Sequence, residues 1–492
     1  MSSANYTTKS TPTMQETIFY KICKVLLVSG LVLFVIFLFF FKDPSCPSSS
    51  FFSISPKFAK LTTTNNFPSN SSNNDESSPL NLSHLAFGLQ GSERTYHHRK
   101  HYLESWWRPN ITRGYVYLDT APTGDLLPWS EKSPPYRVND DLSKLLEEIR
   151  PRSPLMPRMV HGILELFREE KQGLRWLIMG DDDTLFFVDN LVDVLSKFDH
   201  RKYYYIGYPS ETVMSNYWFN FNQAFGGGGI ILSYALAKAL VKDMDRCLRT
   251  YSNLSADLMT MACLADIGVN LTPHKGVHQT DLRGDLSGFL SSHPKELVLS
   301  LHHLDVLVPF FPKLDRSESA RHLMKAGNID QSRLFQQTIC YHRQKKWSFS
   351  IAWGYSAHIY ENVLRRSWLV NPIETFQPFA KNARPPHFMF QTRRPFGDPC
   401  EAPHVFFLET IEKNSLGNEI ITVYNRSGPR GLPACAATGN NSAEYVSTIR
   451  VISPAIKRTE IDRCECCDVL GLEDTGIAEV KFRECMEDEI MA

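Results

Sequence analysis

The fold class of this chain follows from one segment, Trp176-Leu-Ile-Met-Gly180-Asp181-Asp182-Asp183-Thr184. The bulky apolar residues 174–179, which end at a glycine, predict a short buried strand. Three consecutive carboxylates, here called the aspartate triplet, follow that strand directly. Ligands of open α/β sheets bind beyond the carboxyl ends of the strands. The segment therefore predicts an α/β fold with a ligand site at the triplet.

The aspartate triplet has two interpretations. Adjacent carboxylates repel one another, and a divalent cation relieves that repulsion. Sites rich in carboxylate oxygens favour Mg, Ca or Mn over zinc. The alternative is a solvated acidic turn that caps the next element, because charged runs are usually solvated. The triplet by itself leaves both interpretations open.

The composition is that of a folded protein with no net charge. Lys and Arg total 53, as do Asp and Glu, so no nucleic-acid partner is expected. Hydrophobic residues make up 42% of the chain. A chain of 492 residues holds roughly two to four domains of ordinary size.

A membrane-like apolar run occupies residues 25–41, between Lys24 and Lys42. Its length is at the lower end of the about 17 to 25 residues that span a bilayer. A cleaved signal peptide is the alternative, but its apolar core is usually shorter, and no Ala-x-Ala-like cleavage site follows this run. We therefore expect a cytosolic tail at 1–24, a single transmembrane helix at 25–41 and a type II membrane protein.

The region after the apolar run has the features of a lumenal protein. Residues 42–80 are rich in Ser, Thr, Asn and Pro and predict a disordered lumenal stem. Nine cysteines follow residue 240. Glycosylation sequons occur at Asn70, Asn81, Asn110, Asn253, Asn270, Asn425 and Asn440. Together these features indicate an oxidising compartment.

Residues 81–315 predict one α/β domain. Strand-like runs alternate with helical patterns there, which indicates a mainly parallel sheet with helices on its faces. Asp189, after the triplet, is the expected N-cap of the next helix. The strand-like runs are residues 84–89, 115–118, 174–179 and 203–206.

Residues 316–492 predict a smaller, β-rich C-terminal module, because short strand-like runs and cysteines replace the helical patterns. Its clustered cysteines are Cys464, Cys466, Cys467 and Cys485. Zinc binding is one alternative, but C-x-C-C lacks the usual finger spacing, so disulfides are favoured. Cys247 and Cys263, at the ends of two neighbouring helices of the first domain, are expected to form a further disulfide.

Two later groups of residues could approach the triplet. Gly227 and Gly228 lie in a four-glycine run, residues 226–229, which either lets a backbone approach a ligand closely or is only a flexible turn. Asp257 precedes a helical stretch. A carboxylate in that position is usually an N-cap, but it could act as a general base if it faced a cleft.

A third group is the pair His302 and His303. A single histidine in a core is usually structural, but an adjacent pair near carboxylates could supply a nitrogen ligand to a metal. Each of the three groups is a weak signal alone. Their order along one domain is a stronger signal.

That order resembles the plant proteins of the DUF604 family, which are related to Fringe glycosyltransferases. The matching segments of the first domain are residues 84–89, 106–109, 113–119, 175–187, 205–207, 224–229, 278–279 and 300–305. Those of the C-terminal module are residues 336–340, 353–355 and 466–467. The resemblance covers nearly all of the chain beyond the stem.

The resemblance implies a GT-A fold, in which an α/β sheet binds a nucleotide sugar and a metal at an Asp-x-Asp motif. It implies that Asp181, Asp182 and Asp183 bind Mn²⁺ and a UDP-sugar. Asp183 is then the expected direct ligand of the metal, with Asp182 beside it. His303, or else His302, would complete the metal shell.

The resemblance also places Gly227 and Gly228 on the side of the donor sugar and the acceptor. The chain departs from the family pattern at the catalytic base. Related enzymes have paired acids before a helix, whereas this chain has Ser255-Ala-Asp257-Leu258. Leu258 stands where the second acid, the base in Fringe, is expected. Either Asp257 serves as the base or the base is lost.

The sequence thus predicts a Golgi type II glycosyltransferase that is inverting and Mn²⁺-dependent. It would move a sugar from a UDP donor to a hydroxyl of a glycan or glycoprotein. The alternative is a catalytically silent relative that binds glycans or a partner enzyme of the Golgi. An adhesion or receptor-like ectodomain is disfavoured, because it does not explain three carboxylates behind a strand.

Overall fold

A computed structural model describes most of the chain beyond the N-terminal region. The described residues are Ser29, 78–170, 172–395, 397–436, 441–458, 465–472 and 475–489. The segment Asn73–Ala492 is one compact unit. No helix among the described residues is both long and apolar enough to cross a membrane. The expected tail, the stem up to residue 77 and the transmembrane run, apart from Ser29, lie outside them.

The regular elements of the described residues follow the order of the chain. The strands are β1 (Leu85–Gln90), β2 (Arg113–Leu118), β3 (Tyr136–Val138), β4 (Trp176–Asp181), β5 (Leu185–Phe186), β6 (Tyr205–Gly207), β7 (Ile230–Ser233), β8 (Leu271–Pro273), β9 (Val277–His278), β10 (Leu282–Gly284), β11 (Ser300–Leu301), β12 (Gln337–His342), β13 (Trp347–Ala352), β14 (Ser356–Tyr360), β15 (Phe376–Pro378), β16 (His404–Lys413), β17 (Glu419–Arg426), β18 (Thr448–Pro454), β19 (Cys466–Leu472) and β20 (Ile477–Arg483). The helices are α1 (Glu93–Trp106), α2 (Ser143–Ile149), α3 (Leu155–Glu169), α4 (Val188–Leu195), α5 (Val213–Trp218), α6 (Tyr234–Lys242), α7 (Met244–Thr250), α8 (Ala256–Asp266), α9 (Ser287–Leu290), α10 (Arg316–Ile329) and α11 (Arg366–Leu369).

The first half of the fold is a seven-stranded sheet in the order β3-β2-β1-β4-β7-β6-β8. Strands β3, β2, β1 and β4 are parallel, β7 is antiparallel to both its neighbours, and β6 and β8 are parallel. The predicted α/β class and mainly parallel sheet are confirmed. Strand β4 lies in the centre of the sheet, so the triplet at its end is surrounded by other elements.

Apolar side chains on both faces of the sheet explain its burial. On one face Phe87 packs against Trp106 of α1 and Phe186 of β5, with ring centroids 5.4 Å apart in each pair. On the other face, Ile163 of α3 and Leu177 of β4 belong to a second apolar cluster. Strand β4 is therefore covered on both sides, as its nearly continuous apolar sequence predicts.

Two expected helix caps are wrong. Helix α4 begins at Val188, so Asp189 lies in its first turn and accepts hydrogen bonds from Arg108 instead. The N-cap of α8 is Ser255, which places Asp257 inside the helix. The physical reason is the same in both cases. A carboxylate in the first helical turn is favoured by the helix dipole, and sequence spacing does not distinguish that position from the cap.

The second half is an eight-stranded, mostly antiparallel sheet in the order β12-β13-β14-β16-β17-β18-β20-β19. Its edge strands β12 and β19 are joined by the disulfide Cys340–Cys467. Cys400–Cys435 and Cys466–Cys485 are also disulfides. The β-rich, disulfide-linked prediction is confirmed, and Cys464 lies outside the described residues. The expected disulfide Cys247–Cys263 is confirmed in the first half.

Short strands join the two halves. Strand β10 pairs with β15, and an isolated bridge links Thr212 with Phe388. A separate three-stranded sheet, β5-β11-β9, brings His302 and His303, which follow β11, next to the triplet. The site is thus built where several chain segments meet at the end of β4.

Candidate functional site

The aspartate triplet is buried. Asp182 and Asp183 are each only 1% exposed, and Asp181 is partly exposed. The Thr184 hydroxyl fixes the turn, because it accepts a hydrogen bond from the Asp181 amide and donates one to the Gly227 carbonyl. A solvated acidic turn does not describe this geometry.

Arg99 of α1 supplies positive charge to the triplet. Its Nη1 donates to Asp182 Oδ1 at 2.6 Å and lies 3.4 Å from Asp183 Oδ1, and its Nε donates to Asp305 Oδ2 at 2.7 Å. Thr95 also donates to Asp182, through its hydroxyl at 2.9 Å. Burial raises the pKa of Asp182 to about 6, although Arg99 opposes this shift. Asp182 therefore already has two partners within the protein.

His302 lies beside the other two carboxylates. Its Nε2 is 3.2 Å from Asp183 Oδ1 and 3.4 Å from Asp181 Oδ2. Burial raises the pKa of Asp183, but His302 and Arg99 together outweigh burial and lower that pKa to about 2. Burial conversely lowers the pKa of His302, yet Asp183 and Asp181 hold it well above its ordinary value. Asp183 and His302 therefore form an ion pair.

The orientation of His302 is fixed by its other ring nitrogen, which lies 3.2 Å from the carbonyl oxygen of Gln279. A proton on Nδ1, donated to that carbonyl, leaves Nε2 facing the carboxylates. Metal-binding histidines are commonly held by such a bond. The His302 ring also stacks on His303 at 4.6 Å, and His303 stacks on Phe379 at 5.0 Å.

Asp183, His302 and His303 can each direct a donor atom to one point, since those atoms lie within 4.8 Å of one another. Two of their buried atoms, Asp183 Oδ2 and His303 Nδ1, have no hydrogen-bond partner. His303 also has a φ of 145°, a strained conformation for a residue other than glycine. Carboxylate and imidazole donors suit a divalent transition metal. These residues fit a metal ion, whereas Asp182 is not part of the group.

Gly227 and Gly228 are packed against protein. A Cβ atom at Gly227 would overlap the His302 ring, and one at Gly228 would lie 2.8 Å from the Gln279 amide nitrogen. The Gly228 amide donates to Gln279 Oε1 at 2.8 Å. The glycine run therefore gives His302 and the chain beside it space next to the triplet. It is not a merely flexible turn.

Asp257 also lies near the triplet. Its carboxylate lies so close to Gly226 that a Cβ atom there would overlap it. Burial, with the nearby charge of Asp181, raises the pKa of Asp257 to about 7. Asp257 and Asp181 line a small depression together with Gln90, whose side-chain amide has no partner. Leu258, the next residue, is not among the lining residues.

Sequence reasoning did not identify Arg99, Thr95 or Asp305 as part of this site. Thr95 and Arg99 are four residues apart on α1, which places them on one helix face. That spacing was a usable signal. The approach of these two residues to the triplet could not be predicted from the sequence, because the contacts join residues that are 83 to 87 positions apart.

The fold and site thus define an α/β protein with buried carboxylates and imidazoles at the end of a central strand. The family model described as "Protein of unknown function, DUF604" matches residues 215–467, more than half of the chain. The chain therefore belongs to the DUF604 family, as its sequence motifs predict.

One curated relative matches a shorter segment. A human beta-1,3-glucosyltransferase is 29% identical over 120 residues, which covers 24% of this chain and 23% of the relative. The match thus spans about a quarter of the relative's length. The similarity links this chain to a glycosyltransferase, without extending to the whole of that protein.

Proposed function

We propose that this protein is a metal-dependent, inverting glycosyltransferase with a GT-A fold, which moves a sugar from a UDP donor to a hydroxyl of a glycan or glycoprotein. The observation that carries the proposal is the group of Asp183, His302 and His303, with two buried donor atoms unpartnered. The similarity to a human beta-1,3-glucosyltransferase supports the class of reaction.

Asp183 would hold Mn²⁺ together with His302 and His303. When bound, such an ion would act as a Lewis acid that offsets the negative charge of the departing UDP. The low pKa of Asp183 keeps its carboxylate ionised. His302 must give up its proton before Nε2 can bind a metal. Asp182, anchored by Arg99 and Thr95, would hold the turn in place.

Asp257 would remove the proton of the acceptor hydroxyl. A general base is most effective when its pKa is near the working pH, and the pKa of Asp257 is raised to about 7 by burial. Its position beside Gly226 and near Asp181 places it next to the triplet. This supports Asp257 as the base in place of the acid that Leu258 replaces.

An exposed aromatic cluster next to the glycine run supports a glycan acceptor. Phe219 packs against Phe225, which directly precedes Gly226, with ring centroids 5.8 Å apart. Exposed aromatic rings offer flat apolar surfaces on which the C–H face of a sugar can pack. The cluster comprises Tyr217, Trp218, Phe219 and Phe221, which are 70%, 71%, 47% and 47% exposed.

The cellular setting belongs to the same proposal. The apolar run 25–41 would anchor a type II protein in the Golgi membrane, where partner enzymes of the Golgi could bind it. Four disulfides among the described residues support an oxidising lumen.

One observation favours a second candidate, a silent glycan-binding protein. Arg99 bridges Asp182, Asp183 and Asp305 and so supplies from within the chain some of the charge that a metal would bring. Replacing Arg99 by Met separates the candidates. A transferase retains Mn²⁺-dependent UDP binding in this variant, whereas in a silent protein the variant loses structure at the triplet and gains no metal binding.

The proposal is tested by UDP release from a panel of UDP-sugars, using the full chain with Mn²⁺ and glycan acceptors. We expect release that depends on both metal and acceptor, and that Asp183→Asn abolishes. Asp468→Asn is a matched control, because Asp468 is an exposed carboxylate that pairs with Arg483 of the C-terminal sheet. Release that is unchanged in Asp183→Asn would remove the metal-site assignment.

A further inference from the structure

A large cavity lies between the α/β half and the C-terminal sheet. Its volume is about 530 Å³, within the range of small-molecule sites. The α/β half contributes residues 208–295 of its lining, and the C-terminal half contributes residues 336–391. The cavity therefore exists only when the two halves are packed together.

The lining is positively charged. Lys275, Lys295 and Arg366 line the cavity, and none of them has a carboxylate partner within 4.0 Å among the described residues. Arg366 is half-buried, and its Nη1 is buried without a hydrogen-bond partner. The buried Nη1 would gain a partner if an anion bound beside it. The two lysines are exposed at the rim.

Glu211 is the only carboxylate among the described residues that line the cavity. It forms no ion pair with the three cations, and its oxygens contact His278 at 3.1 Å and the Asp281 amide at 3.2 Å instead. Burial also raises its pKa to about 7. His278 in turn lies 2.9 Å from His293, which is bonded to the Pro294 carbonyl. Glu211, His278 and His293 thus form hydrogen bonds with one another and with the backbone. The three cations remain available to a ligand.

The remaining walls combine flat apolar surfaces with free amides. Tyr208, Phe289 and Phe390 line the cavity with aromatic rings. The side-chain amides of Asn371 and Gln391 also line it, without hydrogen-bond partners among the described residues. A ring with a carboxylate would use the cations, and hydroxyls on that ring would use the amides. An aromatic acid without hydroxyls would make no use of the amides.

We propose that this cavity binds a sugar ring that carries a carboxylate, as in the uronic acid residue of a saccharide. The carboxylate pairs with Arg366, and Lys275 and Lys295 draw the anion to the rim. An apolar face of the sugar packs on the aromatic walls, and its hydroxyls bond the amides of Asn371 and Gln391. Binding is separate from the aspartate triplet and does not depend on sugar transfer.

The test compares methyl β-D-glucuronide with methyl β-D-glucoside, which differ only at C6, by ligand-observed NMR titration of the full chain. We expect the glucuronide to bind at least tenfold more tightly. Arg366→Gln should weaken it about tenfold, and the rim variant Lys275→Gln/Lys295→Gln severalfold. Arg201→Gln is the matched control, since Arg201 is exposed and pairs with Asp199. Asp183→Asn should bind like the unaltered protein.

Four outcomes would overturn the proposal. The first is equal binding of the glucuronide and the glucoside. The second is unaltered affinity in both cavity variants, of which the rim variant changes only exposed side chains and so retains the fold. The third is benzoate binding more tightly than the glucuronide, which would assign the cavity to aromatic acids. Loss of glucuronide binding in Asp183→Asn alone would place the ligand at the triplet and would also overturn it.

Discussion

Two buried carboxylates, one in each half of the molecule, have similar acidity but very different surroundings. Glu361 in the C-terminal half accepts hydrogen bonds from His404, Ser442 and the amides of Cys435 and Ala443. These bonds outweigh burial and lower its pKa to about 2. Asp183 also has a pKa of about 2, yet its Oδ2 has no partner.

The two carboxylates differ in how many of their oxygens have hydrogen-bond partners within the protein. Every oxygen of Glu361 is used by the protein, which is the pattern of a group that stabilises a fold. Asp183 is just as buried but keeps a free oxygen beside a second unpartnered atom, His303 Nδ1. A shifted pKa alone would not separate a structural acid from a functional one. The buried atoms without hydrogen-bond partners separate the functional acid from the structural one.

The largest expected effect is on stability, in the C-terminal half. Glu361→Ala leaves Arg430 and His404 buried without their partner, and breaking a buried ion pair of this kind costs about 3 to 5 kcal/mol. Asp183→Asn should cost less, because asparagine keeps an oxygen that can accept from Arg99, His302 can release its proton, and Asp183 Oδ2 has no bond to lose. Urea unfolding of the two variants measures both. Equal losses would contradict the distinction.

The next largest effect is on catalysis. Asp257→Asn should lower the rate of sugar transfer by about 10²- to 10⁴-fold, because it removes a general base. UDP binding should be retained, since Asp257 is outside the metal-binding group. Single-turnover rates and calorimetry of UDP binding give the two readouts. Transfer at the unaltered rate would assign Asp257 to the helix alone.

A smaller effect concerns Glu211, which is saturated like Glu361 but has its pKa raised to about 7 by burial. In the unfolded chain this carboxyl ionises near pH 4.5. The folded state therefore loses stability relative to the unfolded state as the pH rises from about 4.5 to about 7. Glu211→Gln should remove this loss, with little change at pH 4.5 and a gain of about 3 kcal/mol at pH 7. Thermal unfolding across this pH range tests it, and a gain that does not depend on pH would refute it.

The smallest effect concerns the exposed aromatic cluster. Trp218→Ala should raise the KM for a glycan acceptor by severalfold, since one exposed ring contributes about 1 kcal/mol, and should leave both stability and UDP binding unchanged. Leu416→Ala is the control, because Leu416 is an 83% exposed apolar residue of the C-terminal half. An equal effect in both variants would exclude a specific acceptor surface.

The sequence predicted the parts of the fold that depend on local pattern. Strand β4 was found from its apolar run, which ends at the aspartate triplet. Helix ends were less accurate, as Asp189 and Asp257 show, because capping and first-turn positions favour the same residue types.

The parts of the site that the sequence did not predict depend on long-range contacts. The triplet and the histidine pair were visible because adjacent residues of unusual chemistry stand out. Arg99 could not be recognised in the sequence, because its role depends on contacts with Asp182 and Asp305, which lie 83 and 206 positions away. The cavity was also hidden, because its walls come from both halves of the chain.

The packing of the His302 ring over Gly227 has an evolutionary consequence. Any side chain at position 227 would displace the ring, so position 227 is free to change only if position 302 changes as well. A relative that replaces His302 by a small residue releases position 227 from its constraint. A relative that keeps His302 must keep glycine there. The two positions are therefore epistatic, and relatives that carry a side chain at position 227 are expected to lack the histidine at position 302.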